Sequence, residues 1–128
     1  MTDDAVHAER RDPEQPEGAL DLHAAGAELL EQANGLAAGR AARTLTPHLG
    51  ADLKQTLLAV CAGQRLGEHP SPGPATLQVL SGAVTVHVGD DALSLDAGEW
   101  AVLPRELHDL AARDDAVVLL TVHADPTT

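Results

Sequence analysis

Aromatic side chains are almost missing from this chain: among 128 residues there is a single Trp, at position 100, and neither Phe nor Tyr. Recognition of single-stranded nucleic acid leans on several aromatic stacking platforms, and sandwiching a flavin or a sugar ring needs them too, so these functions are disfavoured. Basic residues are also scarce. Eight Lys plus Arg stand against twenty Asp plus Glu, a formal charge of −12, which repels phosphate backbones and anionic bilayers. Neither nucleic acid nor a membrane is an expected partner. Cys61 is the lone cysteine, which excludes an intrachain disulfide and a multi-cysteine metal site. No run of about eighteen apolar residues occurs, and the first residues hold neither the basic nor the apolar region of a secretion signal. A cytoplasmic setting is expected.

What the chain does have is Leu, Val and Ala, enough for one modest core built of small aliphatics. Three stretches differ in grammar. Residues 1–18 are rich in Asp, Glu, Arg and Pro and cannot bury enough surface to offset ordering entropy, so they are expected to form a disordered acidic tail. Its simplest role is solubility, with a basic partner as the sharper alternative. Residues 19–39 carry Leu22, Ala25, Leu29, Leu30, Ala33, Leu36 and Ala37 at three- and four-residue spacing, which predicts an amphipathic helix from Ala19 to Ala38 with Gly39 as its stop. Gly26 and Gly35 weaken it.

Residues 40–128 change to short runs separated by turn residues, the pattern of an antiparallel barrel or sandwich. Strands are expected at Arg43–Thr46, Lys54–Ala62, Ala75–Leu80, Ala83–Val88, Ala92–Asp96, Trp100–Leu103, His108–Ala112 and Ala116–His123. Period-two alternation puts Ala75, Leu77 and Val79 on the interior face and Thr76, Gln78 and Leu80 on the other. Trp100 is expected to be a core or interface plug, with ligand stacking as the alternative. Cys61, in an apolar run with no basic cluster nearby, reads as a buried small hydrophobe.

Gly63, five residues, His69, then Gly82, followed by Gly98, Pro104 and His108, is the pattern that carries most information. It resembles the cupin superfamily, whose first motif places two His, a Glu and a closing Gly at set intervals after its first Gly. Here His69 and Gly82 hold their places, while Ser71 stands at the second His position and Ala75 at the Glu position. In the second motif Gly98 and Pro104 match, Glu106 replaces a glycine, His108 arrives one residue early and Ala112 lies near the usual Asn. The segments Ala75 to Gly82 and Leu103 to Leu110 also look like small bacterial cupins, of the RmlC-like kind, that carry no assigned activity. The resemblance implies an all-β fold, a single antiparallel cupin-like jelly-roll barrel, preceded here by the helix and the tail. It also implies a homodimer, in keeping with the tendency of exposed strand edges to be covered by a partner.

Cupin sites hold Fe, Mn, Ni or Zn on imidazoles plus a carboxylate, a donor set suited to borderline divalent ions. The resemblance therefore makes His69 and His108 the metal candidates, with two ligands of the family set lost. Glu68 or Glu106 would have to supply a carboxylate, and alternation turns Glu68 away from His69 if that segment is extended. The plainer reading makes both histidines hydrogen-bonded, partly exposed polar residues at the mouth of the barrel. His87 and His123 read as strand-end or surface histidines, with a lumenal position replacing a lost ligand as the alternative. His23 and His48 read as a helix-surface and a loop residue, and His7 as a solvated tail residue. No oxyanion motif accompanies Ser71, and no catalytic residue is assigned.

The functional expectation is a small cupin-domain protein of unassigned activity that binds a small molecule at the barrel mouth, lined by His69, Ser71, Leu77, Glu106 and His108. One alternative is a metal-dependent enzyme, a dioxygenase or isomerase acting on a small organic acid or phenol. The other is a non-catalytic sensor or accessory protein that acts through its tail or helix.

Overall fold

The computed structural model describes residues 18–46, 52–68, 73–106 and 108–123. The expected acidic tail before Gly18, and His7, His48, His69 and Ser71, lie outside the described residues.

Helix α1 spans Leu22–Asn34. Asp21 caps its start, its carboxylate accepting from the His23 and Ala24 amides at 3.1 and 3.2 Å, which satisfies donors the first turn cannot pair internally. The helix is shorter than its apolar periodicity predicts. Asp21 is extended and begins it later, and at its far end the Gly35 and Leu36 amides fall back on Gln32 and Ala33. Gly39, expected as the stop, has φ +65° and instead turns the chain into the first strand.

Among the described residues eight strands follow: β1 (Arg40–Thr44), β2 (Leu53–Val60), β3 (Ala75–Ser81), β4 (Ala83–Val88), β5 (Asp91–Asp96), β6 (Trp100–Leu103), β7 (Asp109–Ala112) and β8 (Ala116–His123). They form two antiparallel sheets, one ordered β1-β2-β8-β3-β6 and one β5-β4-β7. Packed face to face, the sheets make the expected jelly roll. β1 begins before its expected Arg43 because Arg40 to Thr44 all find partners along β2, from Val60 to Thr56. β2 closes at Val60, since the chain turns at Ala62 and Gly63, the latter with φ +84°.

Two cores hold the layers together. Between the sheets lie Leu58, Val60, Leu77, Val79, Val84, Val86, Leu95, Leu103, Leu110 and Val118. Beneath α1 lie Leu29, Ala33, Leu57, Ala59 and Val117. Strands β2 and β8 are therefore covered on both faces where α1 lies, which explains the unbroken apolar run from Leu57 to Val60. As expected, Ala75, Leu77 and Val79 point inward and Gln78 is exposed.

Gly26 has a packing reason to be in mid-helix: a Cβ there would lie 2.7 Å from a Val117 methyl, so its absence lets α1 settle onto β8. Gly82 is more tightly constrained. It turns β3 into β4 with φ +77°, and a Cβ would lie 2.1 Å from the Asp115 carbonyl oxygen.

Two of the alternatives left open above are excluded here. Trp100 is not in the core: it is 59% exposed, opposite Gln78 on the outward face of β6, because Ala101 and Leu103 take the inward positions of that strand. His87 is not lumenal either, since Val84 and Val86 fill the interior and alternation turns His87 to the opposite face of the small sheet. Exposed His123 pairs with Leu53 at the end of the large sheet. Cys61 is half-buried, its thiol donating to Asn34 Oδ1 at 3.1 Å. Among the described residues no helix is long and apolar enough to cross a membrane.

Candidate functional site in the interior of the jelly roll

The start of β7 places one imidazole between the sheets. His108, Leu110 and Ala112 alternate inward, and His108 is only 3% exposed. It lines a cavity of about 20 Å³ with Leu58, Leu66, Leu77, Val86, Leu103, Leu110 and Leu120. Roughly 10–15 Å³ suffices for one water, so this interior accommodates about one water and no organic molecule without movement of its leucines.

His108 Nδ1 lies 3.0 Å from the Glu106 carbonyl oxygen. A carbonyl only accepts, so Nδ1 carries the proton and donates, and in a neutral ring Nε2 is then the acceptor. The ring is thereby fixed in one tautomer and orientation. His108 and Leu77 line the same cavity. Glu106 contributes its backbone rather than its side chain, which is exposed and outside the cavity lining.

A second polar cluster lies on the other side of the same strand. Asp109 is 4% exposed and accepts from Arg65 Nε at 2.6 Å and from the Gly67 amide at 2.9 Å. The segment carrying them runs beside β7: Gly63 and Leu66 amides donate to Ala112 and Leu110, and the Ala112 amide donates to Gln64. Asp109 thus latches the approach to His69. Sequence reasoning missed this latch, although an aspartate inside the run Leu-His-Asp-Leu-Ala-Ala was its signal, since a carboxylate there must be buried and partnered.

Divalent ions of the cupin kind call for three or more donors. Among the described residues no group of three His, Cys, Asp or Glu side chains is placed to share an ion. Ala75, at the family's glutamate position, gives the core only a methyl group. The described donors do not fit a metal by themselves, and His69 lies outside them.

No protein-family model matches this chain, and no curated protein matches it in sequence. Solved structures do match it in shape. A conserved protein of unknown function from Streptococcus pyogenes superposes with a TM-score of 0.63 at 28% identity, over 70% of this chain and 78% of that one. An RmlC-like cupin protein from Desulfovibrio desulfuricans does so with a TM-score of 0.57 at 25% identity, over 66% of this chain and 81% of that one. This chain has a cupin fold. The same cupin fold superposes on a variant of salicylate 1,2-dioxygenase from Pseudoaminobacter salicylatoxidans in complex with gentisate. There the TM-score is 0.69 at 22% identity over 85% of this chain, which spans only 34% of the dioxygenase. At that identity the likeness is one of fold alone.

Proposed function

We propose that this cupin-fold protein binds a small, mostly apolar molecule at the mouth of its interior, with His108 as the polar anchor. The observation that carries the reading is a buried imidazole held by the Glu106 carbonyl and facing an otherwise aliphatic cavity; since that cavity takes about one water as it stands, a ligand enters by movement of the leucines that opens it toward the mouth. Leu77 would contribute apolar contact, and Glu106 acts through the carbonyl that orients the ring. His69 and Ser71 are proposed to complete the mouth.

The test is a thermal-shift and calorimetric screen of phenols, short-chain alcohols and small organic acids on the wild type and on His108→Leu. Ligands that stabilise only the wild type support the reading. A screen without a stabilising compound, or hits that survive His108→Leu, would overturn it.

A second reading, a metal-dependent dioxygenase or isomerase, is favoured by the same Nδ1-to-carbonyl bond, which is how metal-binding imidazoles are commonly held. It needs His69 as the second ligand and a further donor. Elemental analysis after loading with Fe, Mn, Ni or Zn decides it: near-stoichiometric metal lost in both His69→Ala and His108→Ala supports it, and no uptake rejects it. A homodimer is also part of our reading.

A further inference from the structure

Among the described residues, the edges of the two sheets are unequally guarded. β1 carries Arg40 and Arg43, and β5 carries Asp91 and Asp96. The open side of β7 is taken by the segment around Gln64. β6, the remaining edge, consists of Trp100, Ala101, Val102 and Leu103, with neither charge nor proline. Bare edges recruit further strands, which is why exposed ones normally carry charge, proline or a bulge.

The outward side chains of β6 are the two most exposed large apolar residues described, Trp100 at 59% and Val102 at 64%. Its backbone is phased for pairing as well. The Val79 amide donates to the Glu99 carbonyl at 2.9 Å. Alternation along the antiparallel pair then turns Ala101 and Leu103 toward β3, and the amides and carbonyls of Trp100 and Val102 toward the open side.

We propose that β6 pairs antiparallel with β6 of a second copy of this chain, about a two-fold axis through Ala101. That register sets Trp100 opposite the partner's Val102 and Val102 opposite the partner's Trp100, all four on the outer face, with their open backbone groups exchanging hydrogen bonds. An axis between Ala101 and Val102 fails, because it would set outward Trp100 against the partner's Leu103, which faces inward. Aromatic and β-branched side chains directly opposite are favourable cross-strand neighbours.

Charge identifies the occupant. Two copies at −12 repel wherever their acidic surfaces meet, which favours approach of a second copy through an uncharged surface. β6 and its outer-face neighbours Thr76 and Gln78 provide one. A basic partner would instead seek the carboxylates.

The inference rests on the homodimer part of our reading and not on the ligand. A four-residue edge is small against the roughly 1,600 Å² of a standard interface, so the dimer should dissociate on dilution. The experiment is sedimentation equilibrium from high to low micromolar concentration, with Trp100 emission recorded over the same series. Trp100 is the sole aromatic, so its fluorescence reports this surface without background. The expected result is twice 13.3 kDa at high concentration, falling to the monomer as the emission shifts to the red. Val102→Lys and Trp100→Ser should remain folded by circular dichroism and lose the dimer, whereas Thr44→Lys on β1 keeps it. A dimer that survives both β6 variants, or whose emission does not follow its mass, overturns the β6 surface and leaves the homodimer standing. A wild type monomeric throughout overturns both.

Discussion

His108 and Asp109 are consecutive residues buried on opposite faces of one strand. The imidazole reaches the cavity between the sheets, and the carboxylate holds Arg65 and Gly67 on the outside. One strand end therefore sets the interior polar group and ties down the chain that leads toward His69.

Asp109→Ala removes two charge-assisted hydrogen bonds, from Arg65 Nε and from the Gly67 amide. Bonds to charged groups contribute about 1.5–3 kcal/mol, so a loss of about 2–3 kcal/mol is expected in urea unfolding. Arg65→Ala should cost less, about 1 kcal/mol or below, because the guanidinium is mostly exposed and solvent screens it. Equal losses would show that the ion pair, rather than the latch on Gly67, dominates.

His108→Leu tests whether the buried imidazole serves the fold or the site. The substitution removes the donor to the Glu106 carbonyl, but Glu106 is exposed and water can take the donor's place, and the surroundings of the ring are already aliphatic. Stability within about 1 kcal/mol of the wild type is expected, together with loss of ligand-induced stabilisation. A variant that unfolds much more readily would make His108 a structural residue.

Gly82→Ala should be far more damaging than Gly98→Ala. Both positions have positive φ, +77° and +88°, and positive φ alone costs an L-residue about 1–2 kcal/mol. At Gly98 the new methyl meets nothing within 4 Å, whereas at Gly82 it would overlap the Asp115 carbonyl. Denaturant midpoints of the two variants check the order, and comparable losses would refute the clash.

Gly26→Ala sets helix propensity against packing. Alanine favours a helix interior by about 1 kcal/mol over glycine, yet its Cβ would press on the buried Val117 methyl. Net destabilisation of about 1–2 kcal/mol is expected, in the range of overpacked cores. In a Val117→Ala background the same change should stabilise, a reversal that a double-mutant cycle measures directly.

The jelly roll was legible because turns and alternation are local. Ala83–Val88, Trp100–Leu103 and Ala116–His123 stand where period-two runs predict them. Of the two positions expected for Trp100, core or interface, parity excludes the core: counted back from Leu103, it falls on the outward face. The strand-like segment around Gln64 escaped notice because Gly63 and Gly67 read as turns, while its pairing with β7 is a long-range property. Of the candidate site, the inward direction of His108 follows from alternation with Leu110 and Ala112. Its anchoring by Glu106 does not, since a glutamate invites attention to its carboxylate and the contact is made by its carbonyl.

β8, the last strand in sequence among the described residues, sits between β2 and β3 at the centre of the large sheet. During synthesis, β2 and β3 therefore wait unpaired on those sides until β8 has emerged from the ribosome. The large sheet closes in one late step, from partners far apart along the chain. Such long-range closure makes folding slow relative to helical proteins of similar size, and the waiting apolar strands are where a nascent chain would need a chaperone.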